Sequence, residues 1–167
     1  SENIRTLLNT RIQDEKAKKE LEYRILQSQI NPHFLYNTLN TVKWMASIQG
    51  AEGIAEISTA LSRLLKNIAK EQRGIIALRE EFHLVDDYFT IMKYRYGGNI
   101  ELEYQIDEEC LLLAGIHRFS LQPILENAIF HGIEPKGGAG KIRIHVCRAP
   151  EDADKLRISV YDDGIGM

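Results

Sequence analysis

The hydrophobic period of this chain changes near residue 99, and that change limits its architecture more than any other feature. Before it, apolar residues recur at helical spacing: Leu35, Leu39, Val42 and Ala46, then, past a break at Gln49 to Gly53, Ile54, Ile57, Leu61, Leu64 and Ile68. After Gly74 a third stripe carries Phe82, Val85, Phe89 and Met92 and is stopped by Gly97 and Gly98. Residues 99 to 106 alternate strictly, and two later strands follow the same rule. Ile100, Leu102, Tyr104 and Ile106 oppose Glu101, Glu103 and Gln105; Ile142, Ile144 and Val146 oppose Arg143 and His145; Leu156, Ile158 and Val160 oppose Arg157 and Ser159. A helix from about Phe119 to His131 separates the first of these strands from the other two. The expected class is α+β: an N-terminal antiparallel helical hairpin, then a helix layer on a sheet. The division falls near Arg73 to Leu78, giving residues 1–74 and 75–167.

The N-terminal 30 residues set Ile4, Leu8, Leu21 and Ile25 on a broken apolar pattern, with Asp14 and Lys18, Glu15 and Lys19, and Glu20 and Arg24 four apart. So thin a seam is stable mainly in a bundle, which predicts a homodimer. With 44% hydrophobic and 27% charged residues the chain should fold as a soluble globular piece, and a net charge of -3 argues against direct nucleic-acid binding. Cys110 and Cys147 have neither CxxC spacing nor a histidine at metal-ligand spacing, so a disulfide framework or zinc site has little support and a reducing cytoplasm fits. No stretch reaches the roughly 20 apolar residues of a membrane helix, and no signal peptide is visible.

One histidine stands out by its placement. At about 100° per residue, Leu35, Leu39, Val42 and Ala46 fall roughly 180 to 240° from His33, whereas Gln29, Asn37, Asn40 and Trp44 fall within about 40° of it. His33 therefore points away from the apolar stripe. An imidazole of ordinary pKa, about 6.5, is mostly neutral at cytoplasmic pH and offers a ring nitrogen as nucleophile. Pro32, just before it, either kinks a longer helix or begins a separate one.

The run QINPHFLYNTLN resembles the phosphoacceptor box of LytS-type bacterial sensor histidine kinases. The resemblance assigns His33 as phosphoacceptor, with Asn37, one turn on, orienting the imidazole or phosphate. Phe34 replaces the acid that commonly helps deprotonate such a histidine. LQPILENAIFHG, Leu121 to Gly132, resembles the N box of the ATPase fold shared by gyrase, histidine kinases and mismatch-repair ATPases. By that likeness Asn127 coordinates Mg²⁺ on the phosphates of ATP and His131 contacts the phosphates. Taken by itself the segment is equally an amphipathic helix with a polar face. YDDGIGM, after the third strand, resembles the G1 box of the same fold, in which Asp162 accepts from the adenine amino group and Gly164 and Gly166 let the backbone pass close to the base.

Several positions depart from the pattern. Phe130 stands where related N boxes have a phosphate-contacting lysine, and His117 and Arg118 stand where this branch often has two prolines. Pro123 occupies the position of the water-activating glutamate of the hydrolytic members, and Glu126 is either a proton acceptor for the kinase step or a surface acid. The sequence ends at Met167, before any lid or second glycine-rich box, so ATP binding by this stretch is expected to be weak or absent. The resemblance implies an incomplete Bergerat-type ATP-binding domain after the hairpin. It also implies autophosphorylation of His33 from Mg-ATP in a homodimer, transfer to an aspartate of a response regulator, and a cytoplasmic position in a cell-membrane protein anchored by segments outside this stretch. The other readings are a non-catalytic dimerisation or phosphorelay scaffold and a nucleotide-gated ATPase of the same fold.

Overall fold

The computed structural model describes residues 9–19, 21, 31–69 and 74–166. The chain falls into two compact units, Ser1–Leu35 and Tyr36–Met167. In the first, residues 9–19 are helical and exposed throughout, including Asp14, Glu15, Lys18 and Lys19. Ile4, Leu8, Glu20, Arg24, Ile25 and Gln29 lie outside the described residues.

Helix α1 (Pro32–Ile48) begins at its proline. The Asn31 side chain accepts the His33 amide at 3.1 Å, the bond of an N-cap residue, and Pro32 takes the first helical position, where a missing N–H costs nothing. Of the two roles open to Pro32 in the sequence, helix initiator is the one adopted. A turn at Gly50 (φ 68), with the Ala51 amide on the Ala46 carbonyl at 2.8 Å, leads to α2 (Glu52–Ala69). The Lys66 ammonium, in the last turn of α2, lies 5.6 Å from the Tyr36 ring centroid.

The apolar stripe of α2 does not turn into this unit. Leu64 is buried, but Ile54, Leu61 and Ile68 are exposed, and the buried neighbours of Leu64 are Ser58, Ala60 and Ser62. These small residues let α2 approach α3 (Leu78–Arg95) closely, and the Ser58 hydroxyl is satisfied by the Ile54 carbonyl at 2.7 Å. Arg63 Nε reaches both oxygens of the nearly buried Asp87, at 3.0 and 2.9 Å, and the Tyr94 hydroxyl donates to Glu56 at 2.6 Å.

α3 buries Phe82, Val85 and Phe89 on the face its period predicts, with Met92 packed against the same core. The helix ends at Gly97 and Gly98, both at positive φ, where the Gly98 amide bonds the Lys93 carbonyl at 2.8 Å. Strands β1 (Ile75–Ala77) and β3 (Gly115–His117) form a small antiparallel ladder; β2 (Ile100–Ile106), β4 (Gly140–Ala149) and β5 (Asp152–Asp162) form the main sheet. There β2 runs parallel to β4 and β5 antiparallel to it. Ile100, Ile142, Ile144 and Val146 are fully buried and meet α3 and the segment around Leu125, Ile129 and Ile133.

That segment differs from the expected helix. Phe119 has φ 61, a left-handed conformation no helix can incorporate, so α4 spans only Gln122–Asn127 and passes into a wider π-helical turn, Ala128–Ile133.

Candidate functional site

The two segments singled out in the sequence, 121–132 and 161–166, meet through their backbones. The entry to α4 is held by Glu81, whose fully buried carboxylate accepts the amides of Phe119 at 2.8 Å and Leu121 at 3.0 Å. Satisfying these donors offsets the cost of burying the charge. Leu125, on the inner face of α4, is fully buried, which leaves Asn127 exposed on the last helical residue; His131, on the π turn, is also exposed. Glu126 is partly buried and accepts from the Gln122 amide at 2.9 Å. Above all by burial, and then by the nearby Glu126 carboxylate, the Tyr88 hydroxyl has its pKa pushed up to about 12. The Arg95 guanidinium lies 5.5 Å from the Phe130 ring centroid.

The second segment closes onto the first through backbone. Asp162 ends β5, and its Oδ1 accepts the Gly164 amide at 2.9 Å. The Ile165 amide donates to the Gly132 carbonyl at 3.1 Å. A Cβ on Gly132 would come within 2.5 Å of Asp162 Oδ1, and one on Gly164 would land on the Gly132 backbone. His131 is thus on the strand of backbone that abuts Asp162. Gly166 follows at φ 76, an exposed position.

Sequence reasoning passed over the other aspartate of the pair. Asp163 Oδ1 accepts the Lys141 amide at 2.9 Å and pairs with Lys136 Nζ at 2.9 Å, and the same ammonium bonds the Asp163 carbonyl at 2.7 Å. The Lys141 amide, and then Lys136, hold its carboxyl below the ordinary aspartate range. Of two adjacent acids one clips the loop and the other is presented to solvent; a doubled Asp was the only signal available.

Gly132 and Gly164 meet backbone to backbone, closer than a side chain on either would allow. One Asp162 oxygen serves Gly164, leaving acceptor capacity for an amino group. Asn127 offers an exposed amide oxygen of the kind a hard cation takes. A separate cavity of about 910 Å³ between α2, α3 and β2, lined by Glu56, Phe89, Tyr94, Gly98, Leu102 and Tyr104, contains none of these residues. His33, in the first unit, is exposed in the opening turn of α1; Asn37 is exposed one turn later, its carbonyl accepting the Thr41 hydroxyl at 2.9 Å.

A family model described as "Histidine kinase" matches residues 21–100. Sensor histidine kinase YesM of Bacillus subtilis is 35% identical over 98% of this chain and 28% of its own length. This chain belongs to the histidine kinase family. Sensor histidine kinase YpdA of Escherichia coli is 34% identical over 96% of this chain and 29% of its own length, and Sensor protein kinase HptS of Staphylococcus aureus 28% identical over 92% and 28%. The chain thus spans under a third of the length of these kinases. A solved histidine kinase domain from Erythrobacter litoralis EL346 blue-light activated histidine kinase aligns over 81% of this chain and 74% of that chain, at TM-score 0.41 and 19% identity. The family match ends at Ile100, ahead of the segments 121–132 and 161–167, whereas the YesM alignment extends over nearly the whole chain. Among the described residues no helix is long and apolar enough to cross a membrane.

Proposed function

We propose that the protein containing this chain is the sensor kinase of a two-component system, which takes the γ-phosphoryl group of ATP onto His33 and passes it to an aspartate of a response regulator. The observation that carries this reading is the backbone joint of Gly132 with Gly164, which brings the Asn127 and Asp162 segments together in a histidine kinase chain whose own His33 is exposed.

In this reading residues 1–74 supply the dimerising phosphoacceptor hairpin and residues 75–167 the first part of a Bergerat-type ATP-binding domain. Two hairpins pair as a four-helix bundle, covering the outward Ile54, Leu61 and Ile68 stripe. Asp162 holds the adenine amino group, Gly164 and Gly166 leave room for the base, His131 contacts the phosphates and Asn127 supplies an oxygen to Mg²⁺. When bound, Mg²⁺ supplies charge neutralisation on the phosphates. Arg95, on the Phe130 ring, contributes the positive charge that the missing lysine would have given. A ring nitrogen of His33 forms the new N–P bond as the bond to ADP breaks; Asn37 orients the ring and Glu126 takes its proton. Such transfer depends on positioning more than on covalent chemistry, so a short set of groups suffices. The chain would then be the cytoplasmic portion of a protein anchored in the cell membrane by segments outside it.

The test uses the protein extended through the lid and second glycine box, incubated with γ-labelled ATP. Acid-labile label is expected on the wild type and absent from His33→Gln and Asn127→Ala. Label persisting in His33→Gln overturns the phosphoacceptor assignment. Released phosphate without protein label points to an ATPase, and neither label nor phosphate to a scaffold.

A further inference from the structure

Asp107, His145 and Cys147 are brought together at one end of the sheet, away from every residue given a role above. Ile106, the last residue of β2, pairs with Val146 of β4, and the Asp107 amide continues that pairing onto the Val146 carbonyl at 3.1 Å. On β4 the inward positions are the fully buried Ile144 and Val146, so the two-residue period turns His145 and Cys147 to the outer face together. Both are partly buried there. His145 Nε2 lies 2.8 Å from Asp107 Oδ1, and one donor atom from each of the three side chains lies within 4.8 Å of the others.

The donor set is one nitrogen, one sulfur and one oxygen. Mg²⁺ and Ca²⁺ select oxygen ligands, whereas Zn²⁺ accepts imidazole, thiolate and carboxylate alike, at about 2.0 to 2.3 Å. Ligands at those distances around one tetrahedral ion are separated by roughly 3.3 to 3.8 Å. The Asp107 and His145 pair therefore has to open slightly and the thiol to move inward, shifts of the size that side-chain torsions supply. We propose that Asp107, His145 and Cys147 form a Zn²⁺ site. Binding ionises the Cys147 thiol and releases its proton to solvent. Three protein ligands leave the fourth position to water or an outside donor.

The surroundings permit this. Ser159 faces His145 from β5 and Gln105 faces it from β2. Arg157 faces Cys147 from β5, but its guanidinium donates to Glu151 at 2.7 Å. The other cysteine, Cys110, is exposed beside Glu108, which is itself paired with Arg148 at 2.8 Å. The sequence hid the site because the histidine precedes its cysteine by two residues, a spacing that works on a strand, and because the aspartate comes from 38 residues earlier.

The inference is independent of the kinase reading, and so is its test. The purified chain is titrated with Zn²⁺ against a chromophoric chelator, and separately with Co²⁺, whose thiolate charge-transfer absorption reports sulfur ligation directly. One equivalent of Zn²⁺ is expected to bind with micromolar affinity or better and to raise the melting temperature. Cys147→Ser should abolish the Co²⁺ band, and Cys147→Ser, His145→Ala and Asp107→Asn should each weaken Zn²⁺ at least roughly tenfold. Cys110→Ser should change neither. Absence of the Co²⁺ band in the wild type overturns the site even if a variant fails to fold. A band that survives Cys147→Ser, or is lost with Cys110→Ser, also overturns it.

Discussion

Helices α1 and α3 are nearly equal in length, 17 and 18 residues, and each carries a helical apolar stripe, yet α1 buries Ala46 alone while α3 buries eight residues. Of the α1 stripe, Val42 is 38% exposed; on α3, Val85 is 2% exposed. Amphipathicity states that a face will be covered, not by what. The α3 face meets strands of its own chain, whereas Val42 of α1 and Ile54, Leu61 and Ile68 of α2 are left exposed among the described residues. So large a set of exposed apolar residues marks an interaction surface, for which a second copy is the proposed occupant.

If that contrast is right, substitutions in the two regions should differ in their dependence on protein concentration. The largest loss is expected from Ile144→Ala in the sheet: about 3 to 4 kcal/mol in urea unfolding, equal at all concentrations, because the cavity is internal. Next is Gly164→Ala, about 2 kcal/mol, since the added methyl displaces the Gly132 backbone. Nucleotide affinity in the extended protein should fall with it. For the double change Ile54→Ser with Leu61→Ser, unfolding of the dilute monomer should shift by only about 0.5 kcal/mol. The same variant should dissociate in sedimentation at concentrations where the wild type is dimeric, and an unchanged association constant would break the comparison. The smallest effect is electrostatic. Asp163 has a folded-state pKa below its ordinary value, so its contribution is present above about pH 3.9 and is lost as pH falls through the lower folded value. Asp163→Asn should therefore melt below wild type at pH 7 and converge with it at the acid end of that window.

What could be read from the sequence followed the range of the interactions. The alternation of residues 100–106, 142–146 and 156–160 marked the strands because each is long enough to repeat its period. β1 and β3, at three residues each, are too short to show one. The stripe of α2 was visible but its direction was not: Ser58 and Ser62 are buried because α3 approaches closely, a fact of tertiary packing. The start of α4 was misplaced because nothing local announces that Phe119 is left-handed; the two amides flanking that turn are held by a carboxylate from α3. In the candidate site the segments carrying Asn127, His131 and Asp162 could be singled out by their motifs, while Arg95 on Phe130 and the clip at Asp163 depend on contacts across 35 and 22 residues of sequence.

The Glu81 carboxylate also imposes an order of events. A helix of six α-helical residues and one π turn, beginning after a left-handed phenylalanine, is too short to persist by itself, because few hydrogen bonds follow its costly first turn. Its two anchoring amides lie 38 and 40 residues downstream of the acid that receives them. During synthesis α3 therefore emerges first, and the segment from Phe119 onward finds the acid that anchors its amides already made. The segment that would hold the metal is templated by a helix carrying none of its ligands.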